Sequence, residues 1–300
     1  MSEPVTSTEV AIDLPMTGVP MSERKQARRE NWRLIRRRPS FIIGTIIVTI
    51  WGVCAALGER ITPHHPLDFR AKPHLRPSAD FPFGTDSTGR DVLSRVMAGA
   101  RDVLKIAPMA AILGVVLGVL VGMVMGYIGG WVDLVMSRVV EAFLALPVVL
   151  LALLAVTTLG HSDWVVIGTV ATLFTPVVAR TVRSAVLSER DLDYVTSAKL
   201  RGESRRFIMF REILPNVMGP IIVELTVRVG YAVFTVATLA FIGAGPPPPS
   251  PDWGAQVSDG FRVLNAGIWW TTLFPAAAIA TLVIAVNLIA DSVQSVLDAS

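Results

Sequence analysis

Charge is scarce in this chain: Asp, Glu, Lys and Arg make up 17% of its 300 residues, against about a quarter in an ordinary globular domain. That is too little polar surface to cover a composition that is 52% hydrophobic, so a soluble globular domain is excluded. Cysteine is scarcer still. The lone Cys54 has no partner for an intrachain disulfide and supports no cysteine-based metal site. Histidine occurs only at positions 64, 65, 74 and 161. Adjacent histidines in a proline-rich stretch fix no ligand geometry, and no metal is expected on the chain. Glycine (23) and proline (20) are too few for collagen or low-complexity disorder. Net charge is only +3 although the pI is near 9.3, so placement of the basic residues matters more than their sum, and no nucleic-acid partner is expected.

Long apolar runs, by contrast, are abundant. Crossing ~30 Å of hydrocarbon takes roughly 17–25 apolar residues in a helix. Six segments qualify: 41–57, 105–127, 139–159, 164–187, 217–242 and 269–290. None has the strict two-residue alternation of a barrel strand, so each is expected to be a helix that closes its own backbone hydrogen bonds. The expectation is an all-α polytopic membrane protein with six transmembrane helices. The first apolar run is read as a retained span, because its polar leader is too long and its core exceeds a signal peptide's ~7–15 apolar residues.

Arg24, Lys25, Arg28, Arg29, Arg33, Arg36, Arg37 and Arg38 precede that run, and such a cluster stays on the cytoplasmic side. Six spans then return the C terminus to the same side. The segment between spans four and five, with Arg190, Lys199, Arg201, Arg205, Arg206 and Arg211, also falls inside. The long connection from Glu59 to Arg101 falls outside; its seven basic residues are mixed with Glu59, Asp68, Asp80, Asp86 and Asp91. The expected organisation is a basic cytoplasmic leader over 1–39, disordered over 1–21, a first span over 40–58 and an outer loop with a short helix over 59–101. A five-helix core over 102–292 with a cytoplasmic loop at 188–216, and a tail over 293–300, complete it. Residues 22–38 read either as a basic helix on the anionic inner leaflet, with membrane lipid as its partner, or as a topology signal alone.

Gly84–Asp91 reads G-T-D-S-T-G-R-D, close to a phosphate-binding loop. Arg90 replaces the lysine of that motif, Asp91 replaces the magnesium-binding hydroxyl, and no buried strand precedes it. The chain is therefore expected to carry no nucleotide cofactor and no catalytic residues of its own. An ordered turn is expected instead, with Asp91 starting a helix over 92–100. Glu141, Glu224 and Arg228 are charges inside spans, where charge is costly and faces protein or a water-filled path. Glu224 and Arg228 stand four apart in the favoured order for a helical ion pair. They are read either as a structural pair or as polar residues of a translocation path. Asp252 and Trp253 follow a proline run on the outer face, alongside the Asp86, Arg90 and Asp91 turn. They are candidates for contact with an outer partner, for bracing an outer gate, or for a rigid cap.

The stretch from Asp191 to Asn216 reads as helix, break, helix and return to the membrane. Asp191 or Asp193 is expected to cap the first helix, Gly202 to end it in a left-handed conformation, and Pro215 to hold Leu214 extended. Phe207, Ile208, Phe210 and Ile213 alternate with arginines, a composition that suits a protein-binding surface or a membrane-surface helix. The segment resembles the EAA loop of ABC-transporter permeases, E-A-A-x3-G-x9-I-x-L-P. Thr196-Ser197-Ala198 stand at the E-A-A positions, Gly202 at the glycine and Leu214-Pro215 at the final pair. Thr196 departs from the Glu and Glu212 from the Ile. Phe83–Arg95, Gly99–Arg101, Gly126–Asp133, Arg138–Pro147, 247–254, Pro275, Asn287–Asp291 and Val296–Asp298 resemble blocks of dipeptide, oligopeptide and nickel permeases of the C-subunit type, in order and over residues 25–300.

The resemblance implies a type I ABC importer permease fold in a bacterial inner membrane. It also implies a second homologous permease subunit, two ATPase subunits that bind ATP and magnesium, and an extracytoplasmic solute-binding protein. Tyr194, Thr196, Ser197, Ala198, Gly202, Phe207, Leu214 and Pro215 would then form the ATPase-coupling loop. The substrate would be a di- or oligopeptide, or alternatively nickel, glutathione or an opine-like conjugate. The competing class is an ion-coupled secondary transporter, which calls for broken helices in repeated halves. An intramembrane enzyme lacks the necessary motif within any span.

Overall fold

The computed structural model describes residues 35, 38–246 and 249–297. The expectations for 1–21, for most of 22–38 and for Pro247 and Pro248 lie outside the described residues. Nine helices of eight or more residues follow in order among the described residues: α1 (Pro39–Leu57), α2 (Val92–Ile128), α3 (Gly130–Ala145), α4 (Val148–Leu159), α5 (Asp163–Glu189), α6 (Asp193–Leu200), α7 (Met218–Phe241), α8 (Trp253–Phe261) and α9 (Trp270–Leu297). Helices α1, α2, α5, α7 and α9 are long and apolar enough to cross a membrane. The expected third span, 139–159, is corrected. Pro147 forces Leu146 into an extended conformation (φ −86°, ψ 141°), so α3 ends at Ala145 and α4 leaves it at 90°. A sixth crossing exists only if this bent pair is counted as one.

A second correction concerns α2. The short helix expected over 92–100 and the span over 105–127 are one continuous 37-residue helix. No glycine or proline separates them at 101–104, so the intrahelical ladder runs on. At 1.5 Å per residue α2 is about 55 Å long, far more than the hydrocarbon requires. Its first turns therefore project beyond the bundle and carry a cap made from the 59–91 connection, α8 and the start of α9.

Helices α2 and α5 are the most closely packed pair, and glycines make this so. Gly114, Gly118, Gly122 and Gly126 recur every fourth residue along one face of α2. A Cβ at each would meet α5 at 3.0, 2.5, 2.6 and 2.7 Å, against Ala171, Val178, Ala179 and Val186. In hydrocarbon, where apolar burial gives no drive, such backbone approach supplies the packing that holds helices together. Helix α1 joins in the same manner: Gly44 lies against the backbone of Ala285 on α9. Ser40 also bonds Ser292 at 2.9 Å, and Arg38 donates to Ser295.

Two apolar cores are stacked along the bundle. One lies under the cap, around Val96, Val103, Ile106, Val170, Val236 and Trp253. The other lies at the opposite end and gathers Met123, Val182, Val186, Val195, Ile208 and Ile213. This second core matters for function, because it fuses the segment between α5 and α7 to the membrane helices.

Candidate functional site

The segment from Arg190 to Val217 forms a knob at the end of the bundle opposite the cap. Its first helix, α6, starts without a side-chain cap: Leu192 occupies the N-cap and Asp193 stands in the first turn, which corrects the expected capping by Asp191 or Asp193. Asp193 still places its charge at the favourable end of the helix dipole. The helix ends in a Schellman turn. Gly202 has φ +75°, its N–H donates to the Lys199 carbonyl at 3.0 Å, and the Glu203 N–H donates to the Ala198 carbonyl at 3.2 Å. A side chain at this φ is strained, which accounts for glycine here. Ser204 then accepts from the Phe207 N–H at 3.3 Å and restarts the helix.

The restarted helix widens into a π-helical stretch, Ile208–Ile213, which runs into Leu214–Asn216. Leu214 is helical (φ −52°, ψ −43°), which corrects the extended conformation expected from Pro215. Pro215 has no N–H to offer the carbonyl four residues earlier and its ring crowds that carbonyl. Widening the preceding turn to π geometry accommodates both, a device that recurs at functional sites. Asn216 caps the frayed acceptor by donating to the Glu212 carbonyl at 2.9 Å.

The knob divides sharply into inward and outward faces. Val195, Ala198, Ile208, Met209 and Ile213 are buried against α2, α5 and α7, and Leu214 packs on the same core. Tyr194 is half-buried and donates to Glu189 at 2.7 Å. Burial and that carboxylate together push its hydroxyl up to about 12. Thr196, Ser197, Gly202, Phe207 and Pro215 face outward with Arg205, Arg206, Phe210 and Arg211. Leu200 is 85% exposed at the tip. Ala198 is thus a packing residue, whereas the exposed Leu and Phe side chains lie among arginines on the outward face. Glu212, one of the two departures from the EAA pattern, pairs with Arg201 at 3.3 Å across the Gly202 turn.

Near the same end, Asp133 of α3 takes both arms of Arg183 of α5, at 2.5 and 2.6 Å, and Arg190 donates to the Gly126 carbonyl of α2 at 3.0 Å. Nothing local in the sequence pairs residues fifty positions apart, so these ties are invisible there. The Gly114–Gly126 repeat is different: glycine at every fourth position is a signal from which the close helix pair could have been found.

Among the expected path residues, Glu224 and Arg228 are joined at 2.9 Å, and Thr181 of α5 donates to Glu224 at 2.7 Å. The Arg228 guanidinium lies 5.7 Å from the Phe174 ring and 5.4 Å from that of Tyr231. The pair therefore bridges α5 and α7. Glu141 is exposed and pairs with Arg138 on its own helix at 2.8 Å; the structure brings it to no other site residue.

At the cap, Asp91 is the N-cap of α2, accepting from Leu93 and Ser94 N–H at 3.3 and 3.2 Å. Asp86 accepts from the Thr88 and Arg90 backbone N–H at 2.8 and 3.0 Å and from the Arg90 side chain at 2.7 Å. Burial alone raises the Asp86 carboxyl, but the donors from Arg90 and Thr88 outweigh it and hold the group below the ordinary range. Asp252 and Trp253 are fully buried, which corrects their reading as direct outer contacts. Trp253 donates to the Val96 carbonyl at 2.7 Å and its ring sits against Gly99. Asp252 caps α8 through the Ala255 N–H at 3.0 Å. Both side chains brace the cap from within.

Asp252 makes the cap sensitive to pH. Burial, with one carboxylate oxygen left without a partner among the described residues, pushes its pKa up to about 6. In the unfolded chain the group ionises near ~3.9, so the folded cap binds the extra proton between those values and loses stability as pH rises through 6. The contribution is fully present below pH ~4. Asp252→Asn, which keeps the cap acceptor and removes the charge, should melt at nearly the same temperature at pH ~5 and pH ~7.5, whereas the unsubstituted protein should gain stability at the lower pH. Equal pH profiles in thermal melts would remove the burial argument.

A model of the family described as binding-protein-dependent transport system inner membrane component matches residues 118–300. The chain is 36% identical over 309 residues to the dipeptide transport system permease protein DppC of Escherichia coli, covering 99% of this chain and 98% of that protein. It is 34% identical to the protein of the same name from Alkalihalophilus pseudofirmus, covering 90% and 89%. It is 38% identical to a putative peptide transport system permease protein of Brucella suis, covering 89% of each. A helical, multi-pass chain with an exposed helical knob rooted in its core is the class of protein that the fold defines. The chain belongs to the family of inner-membrane permease components of binding-protein-dependent transport systems.

Proposed function

We propose that this chain is one permease of an ATP-driven importer that passes di- or oligopeptides from an extracytoplasmic binding protein into the cytoplasm. The observation that carries the mechanism is the two-faced knob: an exposed Leu200–Phe207–Phe210 surface among arginines, whose reverse side shares one core with α2, α5 and α7. In this reading both termini and the knob lie in the cytoplasm, and the cap lies outside, facing the binding protein. Two ATPase subunits, which hold ATP and magnesium, seat on this knob and on that of a second permease. Closure of the ATPases moves the knob, and the shared core moves α5 and α7 with it. The Schellman turn at Gly202 and the π turn before Pro215 keep the two arms of the knob in fixed register. Peptide is preferred over nickel, glutathione or an opine-like conjugate because the similar proteins carry dipeptide and peptide transport in their names.

The test is reconstitution. Co-expressed with its neighbouring subunits, the chain should bring down two ATPase subunits. Vesicles holding the complex should take up labelled alanyl-alanine only with ATP inside and the cognate binding protein outside. Uptake driven by an ion gradient without ATPases would sink the reading in favour of a secondary transporter.

A further inference from the structure

The charges within the transmembrane helices divide unequally. Arg183 is clamped by Asp133, and Arg228 is neutralised by Glu224. Arg180 of α5 is exposed and has no ion-pair or hydrogen-bond partner among the described residues. It lies sixteen residues beyond Trp164, which is 70% exposed at the start of α5. At 1.5 Å per residue that is roughly 24 Å along the helix, within the ~30 Å hydrocarbon thickness. Against lipid at such depth an arginine costs up to ~3 kcal/mol on insertion scales; against water it costs nothing of the kind.

A charged side chain within a span faces protein or a water-filled path rather than lipid. Arg180 stands four and eight residues after Pro176 and Thr172, hence on the same helix face. Those two residues line a cavity of about 330 Å³ beneath α3. Thr172 also lines an adjoining cavity of about 630 Å³ beneath α4, with Thr158 and Thr169. Two mostly apolar cavities thus flank the face of α5 on which Arg180 stands, although Arg180 itself lines neither. Glu224 and Arg228 cancel, so this level of the subunit keeps one uncompensated positive charge.

We propose that Arg180 lies on the translocation path and receives the carboxylate of a peptide in transit. This rests on the peptide reading above and adds to it the group on this chain that recognises the anionic end of the substrate. A planar guanidinium is suited to the task because it can offer a carboxylate two parallel N–H donors. The other arginines within α5 and α7, Arg183 and Arg228, both have their donors engaged by a carboxylate.

The complete transporter, reconstituted with its cognate binding protein, tests the proposal. Arg180→Gln should lower alanyl-alanine uptake about tenfold, roughly the worth of one charge-assisted hydrogen bond. Arg180→Lys should restore most of it, and ATP hydrolysis stimulated by the binding protein should persist in both. Since Cys54 is the chain's single cysteine, Cys54→Ala combined with Arg180→Cys gives one reporter thiol. A charged, membrane-impermeant thiosulfonate should modify that thiol, and transported alanyl-alanine should slow the reaction. Unchanged uptake by Arg180→Gln, or a thiol reached only by a lipid-soluble maleimide, overturns the proposal in favour of an arginine reaching toward lipid headgroups. If unsubstituted vesicles take up no alanyl-alanine while the reporter thiol still reacts with the charged reagent, the peptide reading fails and the carboxylate with it, but the residue's place on the path stands.

Discussion

Gly122→Val should dismantle the α2–α5 pair. A Cβ at Gly122 would stand 2.6 Å from the Ala179 carbonyl and 3.0 Å from the Arg183 amide nitrogen, both backbone atoms of α5 that no rotamer change can move aside. The helices must separate, and neighbouring contacts at Gly118 and Gly126 loosen with them. Overpacking of a tight interface costs about 3 kcal/mol, and more where backbone is the obstacle. Arg183 is also held by Asp133, so the displacement pulls on that ion pair as well. Thermal melts of the purified complex should show a midpoint lowered by several degrees, with poor recovery of assembled subunit. Gly52→Val on α1, where nothing lies within 4 Å of the added carbon, is the matched control and should behave as the unsubstituted protein. If both variants melt alike, glycine-mediated approach is not what holds the pair.

Leu200→Asp should separate coupling from folding. Leu200 is 85% exposed, so a carboxylate there removes no internal contact, and the buried residues Val195 and Ala198 keep α6 in place. In the proposed reading the exposed leucine at the tip of the arginine-rich knob enters an apolar pocket on the ATPase. Placing a charge in such a pocket is expected to cost at least ~2 kcal/mol, about thirtyfold in affinity. ATPase subunits should be lost during purification and uptake should fall to near background, while the melting midpoint of the permease stays unchanged. Phe207→Ala and Gly202→Asp should act in the same direction. Phe207 is part of the same exposed face, and Gly202 holds the turn at φ +75°. Retained uptake with Leu200→Asp would exclude the tip as the docking point.

The sequence exposes some of these features and hides others for physical reasons. The apolar runs are local facts: five of the six segments are single helices long enough to cross a membrane, and all six follow from composition and length alone. So does the left-handed residue at Gly202, because only a short list of residues tolerates that φ. Pro215 misleads, because its usual effect on the preceding residue yields here to a π turn supported by buried Ile208, Met209 and Ile213. Pro147 is the converse case: the break it causes is the ordinary one, but an apolar run on both sides conceals it. Asp252 and Trp253 look like surface residues by virtue of their loop position. Their burial depends on α2 extending past the membrane, and no local pattern announces that.

By itself, then, the sequence determined that this is a membrane protein of several helices and that a basic loop with a left-handed glycine separates two of them. Hydrophobic length and charge placement act residue by residue and need no neighbours in space. Only the tertiary structure decided which charges are spent and which remain free. The Glu224–Arg228 pair was legible as a spacing of four. Arg183 and Arg180, however, are alike in the sequence, and only the structure shows Asp133 neutralising the first and leaving the second open. The Asp133–Arg183 pair joins residues fifty positions apart on two helices, a distance that only the packing of the bundle sets.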